Sequence, residues 1–212
     1  MYDLDAIELR GEDDQPPAAP PQAAAGDGWG RVWQEETGLL LIVHSERGSR
    51  QSNALEADVI ERILAARDGG HSPDSVAVIT PHRAQRAMLR ARLEPYADAV
   101  TIIDTVERLQ GGERPTIIVS GTESDPQAIG AAASFILNLN RANVAFSRTQ
   151  ERLIVVCAET LLDYVPAELE DYESAMLWKS LRSLCVRPLL VGEVEGFRVR
   201  VMAPLVRRGT AQ

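Results

Sequence analysis

The sequence has no long apolar run and no pattern of paired cysteines. None of its hydrophobic stretches approaches the roughly 20 residues of a membrane span, and its first residues are acidic, unlike a secretory signal. Cys157 and Cys185 lack the paired spacings of zinc sites and disulfide frameworks. We therefore expect a cytoplasmic protein with no membrane partner and no metal site.

Lysine is nearly absent, since Lys179 is the only lysine among 22 basic residues. The others are arginines, whose forked donors suit phosphate groups. The net charge of −9 argues against a nucleic-acid partner. Residues 1–36, however, hold nine acids and two arginines, so the rest of the chain has 22 acids against 20 basic residues. The body of the chain is therefore compatible with binding nucleic acid.

The sequence also lacks the glycine-rich loop, Gly-x-x-x-x-Gly-Lys-Ser/Thr, that holds the phosphates of ATP. No apolar strand ends in the acidic pair that would hold Mg²⁺. A stand-alone nucleotide-binding protein is therefore disfavoured.

Composition divides the chain into three parts. Residues 1–36 form an acidic, Pro/Ala-rich linker that we expect to be disordered, with Trp29 and Trp33 pinning its end to the body. Residues 37–160 alternate apolar strands with helices, which is typical of a parallel sheet covered on both faces. Residues 161–212 predict an accessory helix and a β-hairpin. The predicted fold class is a doubly wound α/β domain with this small appendage.

Local patterns locate the elements. The predicted strands are 39–43, 76–79, 100–103, 116–119 and 153–156. Asn53 with Glu56 forms a capping box that opens a helix to about Arg67. Further helices are predicted over 82–93, 139–146 and 168–185. In the last of these helices, we expect Leu169, Tyr172, Met176 and Leu181 to face the body.

The first of three loops with possible chemistry follows the second predicted strand. Thr80 can cap the next helix, with Pro81 in its first turn, and a helix N-terminus with a hydroxyl can bind phosphate. Arg83, Arg86 and Arg90 share one face of that helix. A capped helix with a solvated basic face is the alternative interpretation.

The second and third loops carry glycines and arginines. Gly111 lets backbone approach a ligand, with Gln110 and Glu113 beside it, although an ordinary glycine turn explains the same residues. Arg141 and Arg148 are seven apart on one helix face, where an arginine can stabilise a transferred phosphoryl group. Two surface arginines are the alternative. Because ligands of open α/β sheets bind at the carboxyl ends of strands, we expect all three loops at that edge.

In order and spacing, these loops resemble the last three motifs of superfamily 1 helicases, in the translocating class that includes the nonsense-mediated-decay and nuclease-helicase families. The loop from Thr80 is similar to Thr-Pro-Tyr-Arg-Ala-Gln, with His82 in the Tyr place. Residues 104–113 resemble Asp-Thr-Val-Asp-x-Phe-Gln-Gly-x-Glu, and residues 141–150 resemble Arg-Leu-Asn-Val-Ala-Leu-Thr-Arg-Ala-Lys. The resemblance covers about residues 39–160 and implies the C-terminal RecA-like domain of a DNA or RNA helicase.

The resemblance implies different ligands for different residues. The catalytic arginine finger would be Arg148, supported by Arg141 and Asn143. The nucleotide-binding residues would be Gln110, Gly111 and Glu113. The residues near single-stranded DNA or RNA would be Thr80, Pro81, Arg83 and Thr105.

The resemblance also implies a partner, namely an N-terminal RecA-like domain that carries the P-loop. ATP and Mg²⁺ would act in the full-length enzyme, and we expect the isolated chain to bind no cofactor tightly and to be inactive. Gln150 replaces the usual Lys or Arg, and Leu109 the usual Phe. These departures leave open a degenerate helicase-like domain that serves as a protein or nucleic-acid docking module.

Overall fold

The computed structural model describes residues 28–67, 76–105, 113–131, 148–166 and 172–205. The strands are β1 (Leu39–His44), β2 (Val76–Thr80), β3 (Val100–Thr105), β4 (Arg114–Ser120), β5 (Thr149–Ala158), β6 (Arg187–Val194) and β7 (Phe197–Ala203). The helices are α1 (Arg31–Gln34), α2 (Ala54–Ala65), α3 (Arg83–Arg92), α4 (Pro126–Ala131), α5 (Glu159–Asp163) and α6 (Tyr172–Leu184), with a 3₁₀ turn at Glu94–Tyr96.

One mixed sheet contains these strands in the order β3-β2-β4-β5-β1-β7-β6. β1 to β5 run parallel to one another. Their apolar sequences agree with this arrangement, because a parallel sheet is covered on both faces. β7 pairs antiparallel with β1, and β6 pairs antiparallel with β7. The predicted hairpin is therefore present, and it extends the main sheet.

Successive residues of β1 enter two different cores, as the alternation of a strand requires. Leu40 and Ile42 pack with apolar side chains of α2 and α3 on one face. Leu41 and Val43 pack with side chains of α5 and α6 on the other face. The predicted α/β architecture with helices on both faces of the sheet is therefore confirmed.

Helix α6 agrees only in part with the face that we predicted: Leu181 is buried as predicted, Tyr172 and Met176 are not, and Leu169 lies outside the described residues. Ala175, Trp178 and Leu181 are buried, whereas Tyr172 is 42% exposed and Met176 is 52% exposed. Both stripes fit helical periodicity, so the pattern alone does not separate them. The stripe with the tryptophan is the buried one, because that ring removes the most apolar area from water.

Two tryptophans anchor the segment before β1. The indole N–H of Trp33 donates to the carbonyl of Ile63 at 2.7 Å. The guanidinium groups of Arg67 and Arg152 lie 5.7 and 5.6 Å from the centroid of the Trp33 rings. Trp29 is buried in the core cluster that also contains Leu190 of β6. The predicted contact of both tryptophans with the body is confirmed, and this segment shares a core with the hairpin.

Two of the predicted segments fall on residues that the structure does not describe. Residues 1–27 of the linker and the helix predicted at 139–146 lie outside the described residues. The divisions at residues 36 and 160 stay predictions. Among the helices in the described ranges, none combines the length and the apolar character of a membrane span.

Candidate functional site

The carboxyl ends of the parallel strands meet at one edge of the sheet, and polar residues collect there. β1 ends at His44, β2 at Thr80, β3 at Thr105 and β4 at Ser120. All four residues are buried. Because buried polar groups require hydrogen-bond partners, their accumulation indicates an organised network at this edge.

The residues predicted to contact nucleic acid come together at this carboxyl edge. Thr80 and Thr105 are register partners in the parallel pair β2–β3. Pro81 follows Thr80 directly, and Arg83 begins α3 with an exposed side chain. The backbones of the loops after β2 and β3 are therefore adjacent, and the first of these loops leads to one solvent-exposed arginine.

The three arginines on the predicted basic face of α3 have different surroundings. The Nη1 atom of Arg86 lies 2.8 Å from Oδ1 of Asp104, and Nη2 of Arg90 lies 3.9 Å from Oδ2 of the same residue. Within the described residues, no polar partner is found for Arg83. Arg83 is therefore the member of this face that is available to a ligand.

Thr80 does not cap α3, so that expectation was wrong. The N-cap residue is His82, without a side-chain hydrogen bond. The Thr80 side chain is fully buried, and its hydroxyl lies 2.8 Å from the hydroxyl of Thr122. The hydroxyl is thus used inside the protein, and Pro81 and Arg83 are the accessible members of the predicted set.

Glu56 lies at the centre of the buried polar network. Its Oε2 atom accepts a hydrogen bond from the Ser120 hydroxyl at 2.5 Å and from the backbone N–H of Thr122 at 2.9 Å. Its Oε1 atom lies 3.1 Å from Nε2 of His44. One carboxylate on α2 therefore ties together the ends of β1 and β4.

Thr122 has a backbone conformation that non-glycine residues avoid. Its φ angle is 70°, in the left-handed region that costs about 1 kcal/mol or more. Its N–H binds Glu56, its hydroxyl contacts Thr80, and its carbonyl accepts from Nδ2 of Asn53 at 3.1 Å. Strained residues that their surroundings hold in place are typical of functional loops.

The predicted capping box is half formed. Oδ1 of Asn53 accepts the N–H of Glu56 at 3.0 Å, as predicted. The N–H of Asn53, however, donates to Oε1 of Gln85 at 2.7 Å, so the return contact from Glu56 was wrong. Gln85 also donates to Ser120 Oγ at 3.1 Å. The amide of Gln85 completes the cap and leaves the Glu56 carboxylate for the network.

Glu46, in the loop after β1, is a second organising carboxylate. It accepts hydrogen bonds from the N–H of Gly48 at 2.6 Å, from Nδ2 of Asn53 at 3.1 Å and from the hydroxyl of Ser124. Burial alone raises the pKa of Glu46, but the hydrogen bonds from Ser124 and Gly48 outweigh burial and hold this pKa below its usual value. The charged form therefore fixes this loop.

Glu113 from the predicted nucleotide-binding set and the predicted arginine finger Arg148 lie at the opposite edge of the sheet. Glu113 directly precedes β4 and Arg148 directly precedes β5. The carbonyl of Arg148 accepts from the N–H of Arg114 at 2.9 Å, and Nε2 of Gln150 donates to Oε2 of Glu113 at 2.7 Å. Nε of Arg148 is buried, with no hydrogen-bond partner among the described residues.

The expectation that all three loops lie at the carboxyl edge was therefore wrong. Parallel neighbours need a connection that crosses from one edge of the sheet to the other. The β3–β4 connection begins at Thr105 on the carboxyl edge and reaches the amino edge at Glu113. Arg148 is likewise the last residue before β5, so it also lies at the amino edge. The sheet thus separates the predicted nucleic-acid residues from Glu113 and Arg148.

Four of the predicted site residues cannot be placed. Gln110, Gly111, Arg141 and Asn143 lie outside the described residues. Among the His, Cys, Asp and Glu side chains that the structure does describe, no group of three or more could hold a metal ion.

Both cysteines are buried among apolar side chains. Burial raises the pKa of Cys185 to about 12. Burial, together with the nearby Glu56 and Cys185, raises the pKa of Cys157. Because the thiolate is the reactive form, both residues behave as core side chains.

Sequence reasoning missed His44 and Ser120 as members of the network. Each is the polar residue that ends an apolar strand, after Leu39–Val43 and after Thr116–Val119. A polar residue in that position is buried by the sheet at its carboxyl edge, where ligands of such sheets bind. This strand-end position is the signal that could have identified them.

Residues 39–160 match the family model described as an AAA domain. The DNA replication ATP-dependent helicase/nuclease JHS1 of Arabidopsis thaliana is 28% identical over 134 residues, which are 61% of this chain and 10% of that protein. The 3'-5' exoribonuclease HELZ2 of Homo sapiens is 24% identical over 169 residues, 74% of this chain and 6% of that protein.

A third relative is the DNA polymerase alpha-associated DNA helicase A of Schizosaccharomyces pombe. It is 32% identical over 108 residues, which are 50% of this chain and 16% of that protein. The chain therefore spans between 6% and 16% of the length of these three relatives.

Proposed function

The chain belongs to the AAA domain family as a superfamily 1 helicase-like domain, and on that premise we propose that it is the second motor domain of an ATP-dependent helicase or translocase. The observation that carries this proposal is the separation of two sets of residues to opposite edges of one parallel sheet. Glu113 and Arg148 lie at the amino edge, and the segment Pro81–Arg83, in which Arg83 is exposed, lies at the carboxyl edge. A translocating motor needs separate contacts with nucleotide and with polymer.

At the amino edge, Arg148 is proposed as the arginine finger. Its carbonyl is bound by Arg114, so the start of β5 is fixed against the start of β4. Its Nε atom is buried and has no hydrogen-bond partner within the described ranges. Arg141 and Asn143 are proposed to support it. An arginine that reaches the γ-phosphate stabilises charge in the transition state.

ATP with Mg²⁺ would supply the γ-phosphoryl group that hydrolysis releases. This chain fits one side of such a site, since Arg148 supplies a cation, and Gln110, Gly111 and Glu113 are proposed to line the nucleotide. It lacks the loop that cradles phosphates. We therefore propose that an N-terminal RecA-like domain with a P-loop completes the site and that the isolated chain is inactive.

At the carboxyl edge, the proposed ligand is the backbone of single-stranded DNA or RNA. Arg83 offers an exposed guanidinium, while Pro81 and the adjacent ends of β2 and β3 offer backbone contacts. Contacts of this kind neutralise phosphates and do not depend on base sequence. That property suits a motor that steps along any sequence.

The test is the rate of ATP hydrolysis with and without single-stranded nucleic acid, for this chain alone and for the natural assembly in which it meets a P-loop domain. Arg148→Ala should lower the turnover of the assembly by about 10³-fold or more, the low end for an arginine finger. Arg31→Ala is the matched control, because Arg31 is an exposed arginine of α1. This control should keep the turnover of the unaltered assembly.

An assembly that hydrolyses ATP equally well with and without the Arg148 side chain would overturn the motor proposal. The domain would then be better described as a helicase-shaped docking module. The same conclusion would follow from an assembly that has no ATPase activity under any condition.

A further inference from the structure

The loop that joins β1 to α2, residues 45–53, carries two exposed arginines at the carboxyl edge. Arg47 and Arg50 are both exposed, whereas Asn53 at the end of the loop is buried. Their position directly after β1 places them at the same edge as the loop after β2. Nucleic-acid contacts have been assigned above to the loops after β2 and β3, and this β1–α2 loop is neither of them.

The β1–α2 loop is held against the loop after β4 by backbone hydrogen bonds. The carbonyl of Ser49 accepts from the N–H groups of Ser124 and Asp125 at 2.9 and 3.0 Å. The N–H of Ser49 donates to the Ser124 hydroxyl at 2.8 Å. Glu46 binds that hydroxyl as well as the N–H of Gly48. The backbone between the two arginines is therefore preorganised, which lowers the entropy cost of binding a ligand.

The arginine side chains remain available to a ligand. Among the described residues, Arg47 has no hydrogen-bonded or ionic partner. Nε of Arg50 lies 3.3 Å from Oδ2 of Asp125, in an ion pair whose arginine side chain is 66% exposed. Such exposed pairs contribute little. Asp125 is also satisfied by the N–H groups of Gln127 and Ala128 at 2.8 and 3.0 Å.

A chain of contacts connects this loop to Arg83. Asp125, which pairs with Arg50, lies two residues after Glu123, and Oε1 of Glu123 lies 2.6 Å from Nε2 of His82. His82 is the N-cap of α3, directly before Arg83. Both acids in this chain of contacts face a basic partner. The loop after β4 thus contacts both the loop that carries Arg47 and Arg50 and the start of α3 at Arg83.

We propose that Arg47 and Arg50 form a second phosphate-contact site for single-stranded nucleic acid, continuous with the loop that carries Arg83. This inference rests on the proposed function of the carboxyl edge and adds residues to it. Guanidinium groups bind phosphate oxygens through paired donors, and each neutralised phosphate of a single strand releases counterions. The strand would therefore extend from the β2 loop over the loop that follows β1.

The test measures binding of the whole chain to fluorescent oligo(dT) and oligo(U) of about 20 nucleotides, longer than common single-strand sites, over a series of salt concentrations. Replacing both Arg47 and Arg50 by Gln should make the slope of log K against log salt shallower by about 1.4, because each phosphate contact to a single strand contributes roughly 0.7. Arg31→Gln removes an exposed arginine from α1 and should leave the slope unchanged. Stronger binding of one oligomer would show whether DNA or RNA is preferred.

The outcomes separate this inference from the proposed function. A shallower slope for Arg83→Gln and an unchanged slope for the Arg47→Gln, Arg50→Gln double variant would overturn the second site and leave the proposed strand contact in place. If the unaltered chain binds neither oligomer at low salt, the strand contact itself fails and the inference fails with it. Circular dichroism checks that the variants are folded.

Discussion

At the residue scale, Glu56 shows how a buried carboxylate can organise a functional edge. It has no solvent exposure, and three groups from two strand ends point at its oxygens. Burying a carboxylate is unfavourable unless hydrogen bonds replace its water. Here a hydroxyl, a backbone N–H and an imidazole replace it. This side chain therefore helps to hold the loop after β4, with the strained Thr122, against the end of β1.

We predict that Glu56→Ala lowers the free energy of unfolding by about 3–5 kcal/mol, because it leaves buried partners such as the Thr122 N–H unsatisfied. Glu61→Ala is the matched control on the same helix. Glu61 is partly exposed and contacts Arg92 at 2.6 Å, so its loss should cost about 1 kcal/mol or less. Urea unfolding followed by circular dichroism measures both changes. Equal losses for the two variants would contradict the role assigned to Glu56.

At the element scale, helix α6 illustrates what a pattern does and does not determine. The sequence predicted a helix in this part of the chain, and the structure has one at Tyr172–Leu184. It predicted the burial of Leu181 but not that of Ala175 and Trp178, because apolar residues lie on more than one side of the helix and contact with α5 and the sheet selects among them. Tertiary packing supplied that information, which a single sequence does not contain.

We predict that Trp178→Ala lowers the free energy of unfolding by about 3–5 kcal/mol, as large-to-small changes in a core do. Met176→Ala, two residues away on the exposed face, should change it by about 0.5 kcal/mol or less. Chemical unfolding of the two variants under the same conditions gives the comparison. A larger loss for Met176→Ala would mean that the originally predicted face is the one that packs.

The dependence on tertiary contacts also explains which features of the candidate site were predictable from the sequence. The five parallel strands were predictable, because a wholly apolar run such as Leu39–Val43 is typical of a strand that is buried on both faces of a parallel sheet. The separation of Arg148 from Thr80 to opposite edges was not predicted, since it depends on where each connection begins and ends. Gln85, and not Glu56, accepts the N–H of Asn53. This contact was not predictable either, because Gln85 and Asn53 meet only through the fold.

At the scale of the whole molecule, acid should weaken two distant regions together. Burial by itself raises the pKa of Glu35, but hydrogen bonds from Arg187 and Thr37 outweigh it and lower this pKa below its usual value. The pKa of Glu46 is lowered in the same sense. Glu35 joins the segment before β1 to β6 through Arg187 at 2.7 Å, whereas Glu46 organises the carboxyl edge. Both contacts need the ionised acid.

We predict that the contribution of Glu35 and Glu46 to the free energy of unfolding is steady above their unfolded pKa of about 4.3 and falls as the pH drops through their lower pKa values in the folded protein. Below the unfolded pKa, the unfolded chain binds more protons than the folded chain, so acid favours unfolding. Replacing Glu35 and Glu46 by Gln should make this decline shallower. Urea titrations at a series of pH values measure it, and an equally steep decline in the double variant would contradict the prediction.

The hairpin of β6 and β7 has a consequence for how copies of the domain meet one another. Without it, β1 would form the border of the sheet, and its apolar run Leu39–Val43 would present unpaired N–H and C=O groups. Such a border is a template for edge-to-edge aggregation. β6 takes that place with Arg187, Pro188 and Glu193, because charges and a residue without an N–H discourage strand addition. The appendage therefore replaces an apolar border of the sheet with one whose residues disfavour self-association.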